Sequence, residues 1–259
     1  MTRRLDVYAL PVLAQELPAR GVSVAIDVLR ATTTITTALA HGARRVLPFE
    51  TVEETFAAKK AILERRPDDA DSILLGDERG GLPIENFDLG NSPDLYGPET
   101  VGGKTVLFTT TNGTKAILRC RGVVYLAAFV NADAVVQKLL ADEAREQISL
   151  VCAGTNGQYT EEDLLLAGLI ADRLTLSASD FELNVQAEVV REQWRVNRRR
   201  PLVELLKESR GGQNLKRIKL VKDVVDAAKL DSLDVVPEYR VGEIRLSSSD
   251  WKRGVEPEV

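Results

Sequence analysis

The stretch GVSVAIDVLRATTTITTALAH, residues 21–41, decides the fold. Its first part, GVSVAIDV, is a nearly continuous run of apolar residues, which is typical of a strand buried on both faces of a sheet. The part from Thr32 to His41 has a helical pattern and stops just before Gly42, a residue type that commonly follows a helix. The stretch therefore predicts a buried strand followed by a helix, which is the repeating unit of parallel α/β folds.

The same alternation continues along the chain. Further strands are predicted at RRVLPF (44–49), SILLGD (72–77), KTVLFTT (104–110), GVVYLAAF (122–129) and ISLVCAG (148–154). Further helices are predicted over Thr51–Arg66 and from starting points near Thr114, Asn131 and Thr160. This pattern predicts an α/β fold whose largely parallel sheet is covered by helices on both faces.

Two regions depart from this alternation. Residues 77–103 are rich in Gly, Pro, Asn and Asp, and a loop of that length in a compact domain is usually functional or a lid. From about residue 180 the pattern predicts helices over Val189–Arg199 and Leu202–Glu208, followed by edge strands in VVPEY and YRVGEIRL. Since no linker interrupts the chain, we predict one domain over residues 1–259, in which a smaller C-terminal lobe could begin near residue 180.

Composition and charge limit the classes of partner. Hydrophobic residues make up 44% and charged residues 28% of the 259 residues, so a sizeable core can be buried. The net charge of -5 argues against nucleic acid or an anionic membrane, because either partner favours a basic face. The N-terminal stretch MTRRLDVYALPVL has the pattern of neither a signal peptide nor a membrane span, so cytoplasm is the expected location.

Polar groups follow four of the predicted strands. They are Asp27 and Arg30 after the first strand, Glu78 and Arg79 after the third, Asn112, Gly113 and Thr114 after the fourth, and Glu162 and Asp163 after the sixth. Ligands of open α/β sheets bind outside the carboxyl ends of the strands. We therefore expect these groups to lie together in one site.

Each of these segments, taken alone, also has a structural explanation. Asp27 could cap the following turn, and Asn112–Gly113 is a common turn pair. The segment Thr160–Asp163 resembles a capping box, as does Thr51–Glu54, which has no functional residues near it in the sequence. The functional interpretation depends on the coincidence of the segments at one edge of the sheet.

The groups at this edge suit phosphoryl transfer. Carboxylates from several strands supply the oxygen ligands that Mg²⁺ prefers. Arg30 and Arg79 can hold a phosphate or carboxylate through paired hydrogen bonds, and the backbone amides at residues 112–114 would add donors where a helix begins. A metal ion, arginines and oriented amides together stabilise the charge that develops on the transferred oxygens.

Several known hydrolase mechanisms are disfavoured by the residues present. His41 is the single histidine and has no RHG context, which argues against Ser-His-Asp and histidine phosphatase chemistry. Cys120 and Cys152 are predicted to be reduced, packed thiols, and neither begins a C-x₅-R loop. The residue two positions after Asp27 is a leucine, so the haloacid dehalogenase signature is absent.

Four motifs, in order, resemble the 2-phosphosulfolactate phosphatase family: DVLRATTTITTALAHGA, LLGDERGGLPIENFDLGNSP, TTTNGTKAI and VCAGTNGQYTEEDLLLAG. The resemblance runs from about Val22 to Gly168 and continues more weakly through Asp223 to Pro237. It departs from the family at Asn86, where a glycine is more usual. The residues that fall on the family's motifs are Asp27, Arg30, Glu78, Asn91, Asn112, Glu162 and Asp163.

The resemblance implies a three-layer α/β/α enzyme with a mostly parallel mixed sheet, which uses Mg²⁺ to hydrolyse the phosphate monoester of a small sulfonated hydroxy acid. On this basis Asp27, Arg30 and Glu78 are our catalytic candidates, and Mg²⁺ is expected on two or three of Asp27, Glu78, Glu162 and Asp163. The candidates for binding the phosphorylated substrate are Arg79, Asn91, Asn112, Gly113 and Thr114, with Arg79 placed at the sulfonate. A homodimer is the expected assembly.

Three alternatives remain open from the sequence. Either Asp27 attacks phosphorus to give an aspartyl-phosphate, or a carboxylate activates water for direct attack. The protein could instead bind a phosphorylated metabolite without turning it over. It could also apply the same chemistry to another small phosphate ester, with the difference encoded in Gly80–Gly97 or in the C-terminal third.

Overall fold

The computed structural model describes residues 2–142, 146–178 and 180–247, and over these residues ten strands form one sheet. The strands are β1 Arg3–Tyr8, β2 Val22–Ile26, β3 Arg45–Phe49, β4 Ile73–Asp77, β5 Thr105–Thr109, β6 Val123–Ala127, β7 Gln147–Cys152, β8 Phe181–Leu183, β9 Pro237–Arg240 and β10 Glu243–Leu246. The prediction of one domain over residues 1–259 stays a prediction; residues 1, 143–145, 179 and 248–259 lie outside the described residues.

The helices that connect the strands have the following bounds. They are α1 Ala31–Ala40, α2 Val52–Arg65, α3 Pro98–Val101, α4 Gly113–Arg119, α5 Ala132–Ala141, α6 Glu161–Ser177, α7 Val185–Asn197, α8 Leu202–Glu208, α9 Arg210–Arg217 and α10 Val221–Ala227. Short 3₁₀ turns lie at Pro11–Leu13, Pro67–Ser72, Pro93–Leu95 and Phe129–Asn131. Within the described ranges, no helix has both the length and the apolar character needed to cross a membrane.

The strand order across the sheet is β4-β5-β3-β10-β9-β6-β2-β7-β1-β8. All described pairs are parallel except those of the β9–β10 hairpin, whose two strands pair antiparallel with each other, with β3 and with β6. Parallel strands require crossover connections, and the helices supply them. The predicted mostly parallel mixed sheet is therefore confirmed.

Two helical layers cover the faces of the sheet. Along β2, Val24 packs in a cluster with residues of α5, α6 and α7, whereas Ala25 packs in a second cluster with residues of α1 and α4. Along β3, Val46 joins the α1 side, and Leu47 packs with α2. Because successive side chains point to opposite faces of a strand, the helices lie in separate layers. The predicted three-layer α/β/α fold is confirmed.

The prediction that β9 and β10 are edge strands is wrong. The hairpin lies in the middle of the sheet, where Ile244 pairs with Val46 of β3 and Tyr239 with Val124 of β6. Charged residues gave the hairpin the sequence pattern of an exposed edge. In the structure the carboxylate of Glu243 forms a salt bridge with the guanidinium of Arg45 at 3.0 Å. The charge of Glu243 is therefore paired within the protein and does not require an exposed edge.

Two outer strands, β1 and β8, were not predicted. β1 contains Arg3 and Asp6, which break the apolar pattern of a buried strand. Both side chains are buried and paired: Arg3 donates to Leu139 O at 2.8 Å, and Asp6 accepts from Gln147 Nε2 at 2.8 Å. Partners this distant in sequence cannot be read from a local pattern.

The central position of the hairpin makes a prediction about stability. Replacing Ile244, which is fully buried, by alanine should lower the free energy of unfolding by about 2–5 kcal/mol, because it removes a core side chain and leaves a cavity. Leu246 on the same strand is 36% exposed, so Leu246→Ala should cost much less. Urea unfolding measures the free energy of unfolding of both variants. If both lose the same small amount of stability, the placement of β10 in the middle of the sheet would be contradicted.

Candidate active site

A cavity of about 440 Å³ lies beyond the carboxyl ends of β2, β4, β5 and β7. The loops that follow these strands form one side of it, and α9 forms the other. Of the predicted site residues, those that line the cavity are Asp27, Arg30, Glu78, Asn91 and Asn112. Those that do not line it are Arg79, Gly113, Thr114, Glu162 and Asp163. The strand-end rule thus brings together half of the set.

Asp27 ends β2 and lies on the cavity wall. Its Oδ1 accepts the Ala31 amide at 3.4 Å, and the backbone of Gly113 packs against its Oδ2. A Cβ atom at residue 113 would come within 2.5 Å of that oxygen, so this close approach requires glycine. Burial, followed by the negative charge of Glu78, raises the pKa of Asp27 to about 7.

Glu78 connects the loops after β4 and β5. Its Oε1 accepts the Thr111 amide at 2.8 Å, and its Oε2 accepts the Gly81 amide at 2.6 Å. The carboxylate is buried apart from the surface that it presents to the cavity. Two amide donors hold its orientation, which gives the cavity a second fixed carboxylate beside Asp27.

Asp163, near the start of α6, connects two strand ends. Its Oδ1 accepts the Val28 amide at 2.9 Å, and its Oδ2 accepts the Gly154 amide at 3.0 Å, so β2 and β7 are joined just beyond their ends. Burial, followed by the charge of Asp27, raises the pKa of Asp163 well above its usual value. Because both oxygens already accept backbone amides, we interpret Asp163 as a residue that positions the loops.

The structure does not support the structural alternative for Thr160–Asp163, a capping box at the start of α6. Thr160 occupies the N-cap position, but its side chain caps no helix amide, and its hydroxyl oxygen is buried without a hydrogen-bond partner among the described residues. The acidic residues that completed the motif bind neighbouring loops instead. Glu162 accepts the Gly211 amide at the start of α9, and burial raises its pKa.

Arg30 is held by groups from two other parts of the chain. Its Nη1 donates to Asp223 Oδ2 at 2.6 Å and to Ser92 Oγ at 3.2 Å, and its Nη2 donates to Gly81 O at 2.6 Å. Ser92 also donates to Asp223, completing a buried triangle. Burial raises the pKa of Asp223, and the bonds from Arg30 and Ser92 oppose that shift. These bonds leave the guanidinium with only Nε–H and one Nη2 hydrogen for a ligand.

The remaining predicted residues make other contacts. Arg79 points back toward the sheet, donating to Glu78 O at 2.8 Å and to Thr109 Oγ1 at 3.1 Å. The Thr114 amide donates to Thr110 Oγ1 at 3.1 Å, so it is not offered to an anion in the cavity. Asn112 remains at the cavity, where its Oδ1 accepts the amide of Asn156.

Asn91 has the feature that most directly indicates a ligand. Its side chain is 4% exposed and lines the cavity, yet its Oδ1 has no hydrogen-bond partner in the described part of the chain. A buried polar atom without a partner lowers stability unless water or a ligand satisfies it. Asn91 lines the same cavity as the carboxylates of Asp27 and Glu78, and the three side chains offer oxygen donors, the kind that a hard cation prefers.

This donor set suits Mg²⁺, because Mg²⁺ does not need a site in which every ligand comes from the protein. Over residues 2–142, 146–178 and 180–247, no group of three or more His, Cys, Asp or Glu side chains is arranged to hold a metal ion. Mg²⁺ is usually bound through one or two carboxylates and keeps other positions for water and substrate phosphate. Asp27, Glu78 and Asn91 meet that requirement.

The sequence segment SRGGQNLKRI (209–218), which fits the family pattern only loosely, forms α9 and a wall of the cavity. Its cavity-lining residues are Gly211, Asn214, Leu215, Arg217 and Ile218, the last just beyond the helix. From the sequence, this segment and the rest of the C-terminal third were expected to affect substrate choice if substrate contacts lie there, but none of the five cavity-lining residues was predicted individually. Sequence analysis also missed the triangle formed by Arg30, Ser92 and Asp223; the weak continuation of the family resemblance from Asp223 was the available signal.

The role of Asp163 makes a prediction. In Asp163→Asn one carboxylate oxygen becomes an NH₂ group that faces a backbone N–H, so one buried amide loses its acceptor. The free energy of unfolding should fall by about 1–3 kcal/mol. In Glu161→Gln, at the exposed neighbouring position, water can replace the lost acceptor, and the change should stay within about 0.5 kcal/mol. Chemical denaturation measures the free energy of unfolding of both variants. If Asp163→Asn unfolds with the same free energy as the unsubstituted protein, Asp163 does not connect the two strand ends as interpreted here.

Comparison with known proteins agrees with the sequence motifs. A family model described as 2-phosphosulpholactate phosphatase matches residues 9–242. A protein of Symbiobacterium thermophilum named "Probable 2-phosphosulfolactate phosphatase" is 40% identical over 235 residues, which are 90% of this chain and 97% of that protein. Proteins of the same name from Carboxydothermus hydrogenoformans and Clostridium botulinum (strain Eklund 17B) are 40% and 36% identical, over 94% and 90% of this chain and 96% and 94% of their own lengths. This chain belongs to the 2-phosphosulpholactate phosphatase family.

Proposed function

We propose that this protein is a Mg²⁺-dependent phosphatase acting on the phosphate monoester of a small sulfonated or carboxylated hydroxy acid. The leading substrate is 2-phosphosulfolactate, which would yield sulfolactate and phosphate, as the names of the relatives suggest. The observation that carries the proposal is the cavity at the strand ends, which is lined by the carboxylates of Asp27 and Glu78 and by Asn91, whose side-chain oxygen has no hydrogen-bond partner among the described residues.

In this proposal, Asp27, Glu78 and Asn91 would hold the metal ion. Bound Mg²⁺ supplies a positive charge that offsets these carboxylates and polarises a phosphate oxygen. The amide donors on Glu78 and the packing of Gly113 against Asp27 keep both carboxylates in place before substrate arrives. Such prior orientation avoids the cost of reorganising the site during the reaction.

Arg30 faces the same cavity as Asp27. Its remaining N–H groups can donate to one phosphate oxygen, while Asp223, Ser92 and Gly81 keep the guanidinium from turning away. This is a smaller role than the paired clamp expected from sequence. It is still useful, because charge builds up on the phosphate oxygens as the ester bond breaks.

Two routes to the products remain part of the proposal. In the first, a carboxylate oxygen of Asp27 attacks phosphorus, the ester P–O bond breaks, and the hydroxy acid leaves with a proton; water then hydrolyses the aspartyl-phosphate. In the second, a carboxylate accepts a proton from a water molecule whose oxygen attacks phosphorus directly; the ester P–O bond breaks, and the proton passes to the leaving oxygen of the hydroxy acid. The homodimer and the cytoplasmic location expected above stay predictions.

The first experiment measures phosphate release from a panel of small monoesters that includes 2-phosphosulfolactate, with Mg²⁺ and then with EDTA. We expect release from the sulfonated ester that EDTA abolishes. Release from another ester alone would keep the chemistry and change the substrate. If folded protein releases no phosphate from any ester of the panel, the result would favour a binding protein that performs no hydrolysis.

The second experiment tests Asp27 itself. Asp27→Asn should lower kcat/KM by about 100-fold or more, because Asp27 is the nucleophile in the first route and a proposed metal ligand in both. Mg²⁺ should raise the unfolding temperature of the unsubstituted protein and have little effect on the variant. Asp68→Asn, at an exposed position away from the cavity, is the matched control. Near-normal turnover by Asp27→Asn would remove this residue from the mechanism.

A further inference from the structure

We propose that Arg217 of α9 binds the sulfonate group of a sulfonated ester and thereby sets the substrate preference of the cavity. This inference rests on the phosphatase function proposed above. It assigns the role that sequence analysis gave to Arg79, whose side chain does not line the cavity.

The distribution of charge around the cavity leads to this assignment. The ester named for the relatives carries a carboxylate and a sulfonate in addition to its phosphate. The carboxylates of Asp27 and Glu78 lie on the wall formed by the strand ends, where they would repel a second anion that has no metal ion beside it. The sulfonate must therefore turn toward a different wall, and α9 forms that wall.

Among the described residues that line the cavity, Arg30 and Arg217 are the cationic side chains. Arg30 is already bonded to the carboxylate of Asp223, which cancels much of its charge. Arg217 is exposed, and no ion pair joins it to a carboxylate in the described part of the chain. It therefore offers the cavity an uncompensated positive charge.

The attachment of α9 fixes the position of Arg217. Ser209 caps the helix by accepting the Gly212 amide, and Glu162 of α6 accepts the amide of Gly211. Gly211 packs directly against the carboxylate of Glu162, an approach that only glycine permits. Glu162 lies in the first turn of α6, next to Asp163, which accepts amides just beyond the ends of β2 and β7. The contact with Glu162 therefore anchors α9 to the same loops that position Asp27.

The guanidinium group of Arg217 also has suitable geometry. One Nη2–H donates to Asn214 Oδ1, which lies one helical turn earlier and also lines the cavity. The remaining N–H groups can make parallel hydrogen bonds to two oxygens of a sulfonate, as they do with a carboxylate. A lysine offers a point charge without this paired geometry.

The test compares two substrates in three proteins. The substrates are 2-phosphosulfolactate and 2-phospholactate, which lacks the sulfonate. The proteins are the unsubstituted enzyme, Arg217→Met, and Lys216→Met as a control with the same loss of charge on the same helix. Lys216 is exposed and does not line the cavity. Methionine keeps the helix propensity of the replaced residues, so all three proteins should unfold at similar temperatures.

For Arg217→Met we expect kcat/KM on the sulfonated ester to fall about 10- to 100-fold, the usual effect of losing a charge-assisted hydrogen bond. On 2-phospholactate the change should stay within about threefold. Lys216→Met should leave both values nearly unchanged, and Arg217→Lys should recover part of the loss. Calorimetric binding of sulfolactate gives a readout that needs no turnover: Arg217→Met should bind it more weakly.

The outcomes separate the two proposals. Equal losses on both esters would mean that Arg217 contacts a group common to both, which would overturn the sulfonate assignment. No loss on either ester, or unchanged sulfolactate binding, would also overturn it. If the unsubstituted protein hydrolyses neither ester yet Arg217→Met loses sulfolactate affinity, the hydrolysis fails and the assignment of Arg217 stands.

Discussion

Burying several carboxylates in one corner of the molecule is the constraint on which the site depends. Burial raises the pKa of each of Asp27, Glu162 and Asp163, and a neighbouring carboxylate adds to the shift: Glu78 for Asp27, Glu161 for Glu162 and Asp27 for Asp163. Isolated charges in such surroundings would oppose folding strongly. Backbone amides from the loops after β2 and β7, and from α9, compensate by donating to these oxygens. The acidic groups and the loops therefore hold each other in place.

This arrangement separates the carboxylates into two kinds. Asp27 and Glu78 present surface to the cavity, whereas Glu162 and Asp163 face the backbone of neighbouring segments. Glycines make the close packing possible at two places, Gly113 against Asp27 and Gly211 against Glu162. Carboxylates can thus have two roles in this protein. Those that face the cavity are available to bind a ligand, and those that accept backbone amides hold the loops in position.

The predictable parts of the structure were those encoded in local patterns. The continuous apolar run at residues 21–28 and the helical pattern of residues 51–66 correspond to β2 and α2, the latter with its predicted capping box at Thr51. The strand-end rule located Asp27 and Glu78 at the cavity. The bond between Arg30 and Asp223 was beyond such reasoning, because these residues are 193 positions apart and only the folded sheet brings them together.

The hairpin of β9 and β10 has a consequence for the order of assembly during synthesis. Every other strand precedes it in the chain, yet it joins the group β4-β5-β3 to the group β6-β2-β7-β1-β8. Until residue 246 has left the ribosome, β3 and β6 each expose an unpaired edge, and unpaired edges promote association with other chains. The sheet therefore stays open and prone to aggregation until the β9–β10 hairpin has been made, so a chaperone that shields these edges should improve the yield of the protein.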